Sequence, residues 1–226
     1  MPATFPSHPA VVLPLKVWRP GWFDGVALVL GAAAPDIAYA FDGSGLPVWP
    51  LSHQVHGLVL WCLPVVFVGC WLTRWAAPLV AAHLPAWLRD YGALGVARPR
   101  WWVTASSGVL AAASHLVWDA LADKTWVELP STVIGGLVTM ALLVHVGRSG
   151  LLREWHGPPP STAPRPALFW SVAGATAAVG VAVAPALPGA FLPHTTGVRL
   201  LCALALGLIA GAVAATTVCP TPSTRR

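Results

Sequence analysis

In the stretch Ala-Ser-His-Leu-Val-Trp-Asp, residues 113–119, His115 and Asp119 stand four positions apart. On a helix both project from one face, and Asp123 continues that face one turn later. An imidazole and a carboxylate so placed can ligate a metal together. The same pair can instead be a buried hydrogen bond that fastens two helices. Asp36 follows Pro35 in Ala-Ala-Ala-Pro-Asp; proline lacks an N–H and is expected to break the helix there, presenting the carboxylate at a helix terminus. The plain alternative is an interfacial carboxylate that merely ends the helix. His53 and His56 occur in Ser-His-Gln-Val-His-Gly, at the expected start of a helix, where an imidazole can point into a cavity or sit in the interface. His8, in Thr-Phe-Pro-Ser-His-Pro, gains weight only from this company.

Helices inside a bilayer must position these groups. Only 9% of the 226 residues are charged, 56% are hydrophobic and the mean hydropathy is +0.69. A soluble domain carries roughly 25% charged residues. Lipid tolerates apolar side chains on every face of a helix, which explains the deficit. The fold class expected is an all-α polytopic membrane bundle with about six transmembrane helices plus a short N-terminal apolar helix. The spans fall at 22–41, 55–73, 101–121, 130–147, 167–187 and 200–218, with Pro64 kinking the second. Trp22, Trp75, Trp101, Trp126 and Trp170 stand at or near span ends, the zone indole rings prefer. Part of 76–100 can lie as a helix in the interface, and the proline-rich run 157–166 reads as a linker. The chain therefore divides into a metal-site helical domain (1–147), a Pro-rich loop (148–166) and two C-terminal transmembrane helices (167–226).

Charge sets the orientation. Of the 13 lysines and arginines, 11 fall in the segments 1–21, 74–100, 148–166 and the C-terminal tail, leaving Lys124 and Arg199 on the other side. The positive-inside rule then puts the loops 42–54, 122–129 and 188–199 outside. The net charge of +5 does not imply nucleic acid, because the basic residues are scattered at span ends rather than clustered on one face. Cys62, Cys70, Cys202 and Cys219 form no C-x-x-C pair and read as apolar core thiols. The first fifteen residues lack the basic start and long apolar run of a signal peptide.

In this topology Asp36, His53, His115, Asp119 and Asp123 all lie toward the outer end of three different helices. His/Asp donors without cysteine suit Zn²⁺ or a similar divalent ion. His8 joins them only if the apolar stretch 9–17 forms a hairpin with the first span. The sequence leaves that open, along with the side of the N-terminus. His83, His145, His156 and His194 have no evident carboxylate partner and read as structural. The cluster fits a metal-dependent enzyme, a proton or solute relay, or a scaffold whose polar residues only hold helices together.

A family resemblance appears at these residues. The opening MPATFPSHPAVVLPL, then Ala34-Pro35-Asp36, then Ser-His with a following Gly and CLP across 52–64, then SHLVWD at 114–119, resemble in order the landmarks of a bacterial membrane family known as domain of unknown function 4184. The resemblance covers roughly residues 1–145. The same His/Asp landmarks are similar to those of the membrane-bound metal-dependent hydrolases, the group of the LexA-regulated inner-membrane protein, which in turn resembles the all-helical zinc-dependent phospholipase C. The resemblance implies metal-ligand roles for His8, Asp36, His53, His115 and Asp119, with Zn²⁺ the expected ion. It also implies a lipid or lipid-linked phosphoester as substrate, in the bacterial cytoplasmic membrane. Where the family pattern carries a histidine four residues after the aspartate, this chain has Asp123, expected as a further ligand or as the general base. His56 falls where the pattern has an apolar residue or proline and ranks second to His53.

Overall fold

The computed structural model describes residues 7–122 and 125–217, with the side chains of 122 and 125–129 left aside; all regular structure among them is helical. Helix α1 (Pro9–Trp18) has proline in its first turn, where a missing N–H costs nothing. A tight turn leads into α2 (Gly25–Ile37), which continues as a 3₁₀ turn over Ala38–Phe41. The two helices form the hairpin that the sequence left open. A short α3 (Val48–Ser52) follows. A π-helical segment, Leu58–Cys62, then runs straight into α4 (Leu63–Ala81). Pro64 cannot donate to the carbonyl four residues back, and the wide π turns come immediately before it. The expected kink is this change of helix type.

A 3₁₀ segment (Ala86–Gly95) leads to α5 (Trp101–Ala122). Then come α6 (Thr125–Arg148), the short α7 (Leu151–His156), α8 (Pro166–Val183) and α9 (Pro193–Thr217). Stretch 157–165 is irregular, as its prolines require.

Four described segments are long and apolar enough to cross a membrane: Leu58–Ala81, Pro130–Arg148, Pro166–Ala186 and Pro193–Thr217. The other two expected spans differ for physical reasons. Gly25–Phe41 is a shorter apolar helix; at 1.5 Å per residue it reaches only about 25 Å of a ~30 Å hydrocarbon core. Helix α5 has 22 residues, but its serines, His115 and Asp119 dilute its apolarity. These two helices carry three of the candidate donors between them. They lie together inside the bundle, with Ala27, Leu28, Ala32, Ala34, Ala111 and Ala112 fully buried.

Small residues set the helix spacing. A Cβ on Gly31 would stand 2.4 Å from the Gly108 carbonyl oxygen, so α2 and α5 cross backbone to backbone. Gly207 and Gly211 of α9 approach the carbonyls of Ala173 and Phe169 on α8 in the same way. Close approach through small residues is how helices associate where lipid removes the hydrophobic drive. The α8–α9 hairpin packs on α4 through Ala76, Phe169, Ala173 and Ala212. It is latched at the other end by Arg199, whose guanidinium donates to the carbonyls of Ala40 (3.3 Å), Pro188 (2.8 Å) and Asp42 (2.7 Å). Thr195 donates to the Asp42 carboxylate beside it. His83, read as structural, is so: its ring stacks on Phe169 at 4.2 Å and its Nε2 accepts from the Arg165 N–H. Cys62 and Cys70 are buried thiols and Cys202 is half-buried; Cys219 lies outside the described residues.

Gly31→Val is expected to lower stability by about 1–3 kcal/mol through overpacking. Gly174→Val, at a position with no neighbour within 4 Å, is expected to have little effect. Thermal unfolding of both variants in detergent checks the contrast.

Candidate metal centre

The donors assemble at one end of the bundle, each set by a different local rule. Helix α2 starts on Asp24, whose carboxylate caps the N–H groups of Val26 (3.2 Å) and Ala27 (3.4 Å). That carboxylate is held in turn by the Arg74 guanidinium and by the Thr104 hydroxyl at 2.7 Å. The helix then carries Asp36 to the opposite end, about 18 Å away at 1.5 Å per residue. Pro35 does not break the helix as expected. It sits inside the last turns of α2, and the chain passes on into the 3₁₀ turn.

Side chains on three other elements use the carbonyls around Pro35. His115 Nδ1 of α5 lies 2.7 Å from the Ala32 oxygen, Trp61 Nε1 of the π segment 2.9 Å from the Ala34 oxygen, and Ser52 Oγ of α3 2.9 Å from the Pro35 oxygen. The first contact assigns the His115 proton to Nδ1, which leaves Nε2 as the free lone pair. His53 is fixed likewise, with Nδ1 at 2.9 Å from Ser52 Oγ and 3.3 Å from the Trp49 oxygen. Anchoring one ring nitrogen so that the other can bind a cation is the usual outer-shell arrangement of metal-ligating histidines.

Both free nitrogens face the carboxylates. His115 Nε2 lies 3.2 Å from Asp119 Oδ2 and 3.5 Å from Asp36 Oδ1. His53 Nε2 lies 3.6 Å from Asp36 Oδ1 and 3.9 Å from Asp119 Oδ2. His8 Nε2 lies 3.6 Å from Asp119 Oδ1, and its ring lies against that of His115, tilted by 30° with centroids 3.8 Å apart. The hairpin of α1 with α2 delivers His8, and α6 closes over it: a Cβ on Gly135 would stand 2.4 Å from Ser7 Cβ. The sequence reading attached no role to Gly135, Ser52 or Trp61.

All five residues named as ligands thus meet in one place. Asp123 lies outside the described residues, and His56 is exposed, apart from the cluster. Tyr39 and His194 were also missed. Tyr39 packs its ring 5.9 Å from His53 and 4.5 Å from His194, forming an aromatic wall beside the donors. Its place on the 3₁₀ turn puts it there, and the Tyr-x-x-Asp sequence around it gives no sign of this.

The donor set fits a small divalent cation. Bonds of about 2.0–2.1 Å place neighbouring ligands of such an ion roughly 3.3 Å apart, the range seen between these nitrogens and oxygens. Two triplets have donor atoms within 4.8 Å of one another: His8, His115 and Asp119, and Asp36, His53 and His115. They share His115, whose Nε2 has one lone pair, so they describe one centre rather than two independent ones. His53 Nε2, His115 Nε2 and Asp119 Oδ1 are buried and make no hydrogen bond among the described residues. The side chains of His8, His115 and Asp36 are at most 5% exposed, while those of His53 and Asp119 are 16% and 22% exposed. Access is therefore from the His53–Asp119 side.

Fold and cluster together define a helical membrane protein with a buried His/Asp donor set at one end of its bundle. Residues 1–129 match the family model described as Domain of unknown function (DUF4184), and the chain belongs to that family. The match spans α1 to α5, and with them every donor of the cluster. No curated protein and no solved structure matches the chain.

Ser52→Ala is expected to take one hydrogen bond each from the Pro35 carbonyl and from His53 Nδ1, which keeps its 3.3 Å contact to the Trp49 oxygen, at a cost of about 0.5–1.5 kcal/mol per bond. Thermal unfolding in detergent measures it, with Ser44→Ala, whose hydroxyl accepts from the exposed Leu46 N–H, as the neutral control.

Proposed function

We propose that this protein is a membrane-embedded, metal-dependent hydrolase acting on a lipid or lipid-linked phosphoester in a bacterial cytoplasmic membrane. The observation that carries the reading is the convergence of His53 Nε2, His115 Nε2 and Asp119 Oδ1, buried and without hydrogen bonds among the described residues. Unpaired polar groups in apolar surroundings cost about 1–3 kcal/mol each. A cation at their centre offsets that cost for all three. His8, Asp36, His53, His115 and Asp119 would hold it, and nitrogen and oxygen donors without sulfur favour Zn²⁺. When bound, such an ion lowers the pKa of a water toward neutrality and polarises a phosphoryl oxygen.

The residues themselves supply the rest. The Nδ1 contacts of His53 and His115 keep both rings aimed at the centre. The more exposed edge, His53 and Asp119, is where a headgroup can arrive from the membrane. Asp123, four residues after Asp119 in the sequence, is proposed to take a proton as general base or to complete the donor set. The hydrolase reading draws on the similarity of these landmarks to the membrane-bound metal-dependent hydrolases. The side on which the cluster opens, the outer one, rests on the arginine bias.

Metal analysis by inductively coupled plasma mass spectrometry of the detergent-purified chain is expected to find roughly one equivalent of zinc or another divalent ion. A His115→Ala/Asp119→Ala double variant that stays folded is expected to lose it. No metal in either protein, even after reconstitution with zinc, would overturn the proposal and favour a proton relay or a helix-fastening cluster. In a phosphoester-hydrolysis assay, Asp123→Asn is expected to keep the metal while kcat falls by about 10²–10⁴-fold, the contribution of a general base. Loss of metal in that variant would make Asp123 a ligand instead.

A further inference from the structure

The end of the bundle opposite the His/Asp cluster holds a cavity of about 670 Å³, inside the roughly 300–1,000 Å³ range of ligand sites. Its walls come from the end of α1, the start of α2, the 94–103 stretch, the end of α6, and α7. None of the five cluster donors lines it.

Its polar wall is cationic. Lys16 is 7% exposed, and its ammonium donates to the carbonyls of Pro20 at 2.6 Å and Phe23 at 3.0 Å, with the Trp155 ring 5.0 Å away. An ammonium has three N–H donors, so two carbonyls leave one over, and no carboxylate among the described residues lies within ion-pair distance of it. Arg98 and Arg100 line the same cavity. Arg98 spends one nitrogen on the carbonyls of Gly95 and Ala97. Asp24, the sole carboxylate among the described lining residues, is already bound by Arg74 and Thr104. Three cations therefore face the space without an acid of their own. The rest of the wall is largely aliphatic, from Leu13, Val17, Val29, Leu30, Leu142 and Val146.

We propose that this cavity binds one anionic phospholipid, its phosphate on Lys16, Arg98 and Arg100 and an acyl chain along the aliphatic wall. A free inorganic anion would satisfy the cations and leave the aliphatic wall uncovered. A zwitterionic lipid would bring its own cation to a site that already has three. Basic pockets between helices at the cationic face of a membrane are where anionic headgroups bind. The bound lipid would join the α1–α2 turn to α6 and α7, elements that otherwise meet around an open space. This inference does not rest on the hydrolase reading, since the two sites share no residue.

The test is native mass spectrometry of the full chain, delipidated in neutral detergent and titrated with dioleoylphosphatidylglycerol, dioleoylphosphatidylcholine or inorganic phosphate. One phosphatidylglycerol is expected to be retained at least about fivefold more tightly than phosphatidylcholine, with a loss of about fivefold for each cation removed in Lys16→Gln and Arg98→Gln. Val29→Trp, which fills the aliphatic wall and leaves every charge in place, is expected to abolish retention. Should Lys16→Gln fail to fold, because its carbonyl contacts hold the turn, Arg98→Gln and Val29→Trp carry the test. Equal retention of the two lipids, phosphate binding that displaces the lipid, or full retention by Val29→Trp would overturn the proposal. Metal content is expected to be unchanged in Arg98→Gln and Val29→Trp, which separates failure here from failure of the metal site.

Discussion

At the crossing of α2 and α5 the two backbones come so close that only hydrogen fits at Gly31, facing the carbonyl of Gly108. This approach lets the His115 ring reach the Ala32 carbonyl at 2.7 Å. The ring is fully buried, and its other nitrogen can point only toward Asp36 and Asp119. A bulkier residue at the crossing would push the helices apart and take the imidazole from its anchor on the Ala32 carbonyl. The geometry of the cluster thus follows from a packing rule, small residues where helices touch, and only secondarily from the donors' own attraction.

A second constraint acts at Pro35. Beside Pro35 the ladder of α2 gives way to the 3₁₀ turn, and in a lipid-surrounded bundle a carbonyl without a partner is costly. The neighbouring carbonyls are taken up by His115, Trp61 and Ser52, from three separate elements. The carbonyls around Pro35 are thereby tied into the positioning of two histidines. His53 gains its orientation from Ser52, the same side chain that bonds the Pro35 oxygen.

How much of this was legible in the sequence depended on how local each cause was. The i, i+4 spacing of His115 and Asp119 is a property of one helix and read directly. Asp36 and His53 carried short motif signals and a shared end of the topology. His8 was ambiguous because its place depends on whether the stretch before the first span folds back. The Arg19-Pro20-Gly21 turn makes that hairpin, but spacing alone does not say which way it closes. Ser52, Trp61, Gly135, Tyr39 and His194 were not legible, since each matters only through a neighbour that the crossing angles select. The expected break at Pro35 failed for a related reason. Proline removes one rung, the bond to the carbonyl four residues back, and the packed chain passes on into the 3₁₀ turn without it. Part of the dilution of α5 has the same origin, because His115 and Asp119, which weaken its span signal, are groups the centre uses.

The Arg199 latch has a consequence for how the chain is made. Its guanidinium fastens the loop after α2 from a helix synthesised more than 150 residues later, beyond the part of the chain matched by the family model. While α1 to α5 are being inserted, the carbonyls of Ala40 and Asp42 have only water or lipid headgroups for partners. The loop beside Tyr39 therefore gains these bonds only once α9 is in place, so the two ends of the chain close on each other at this point.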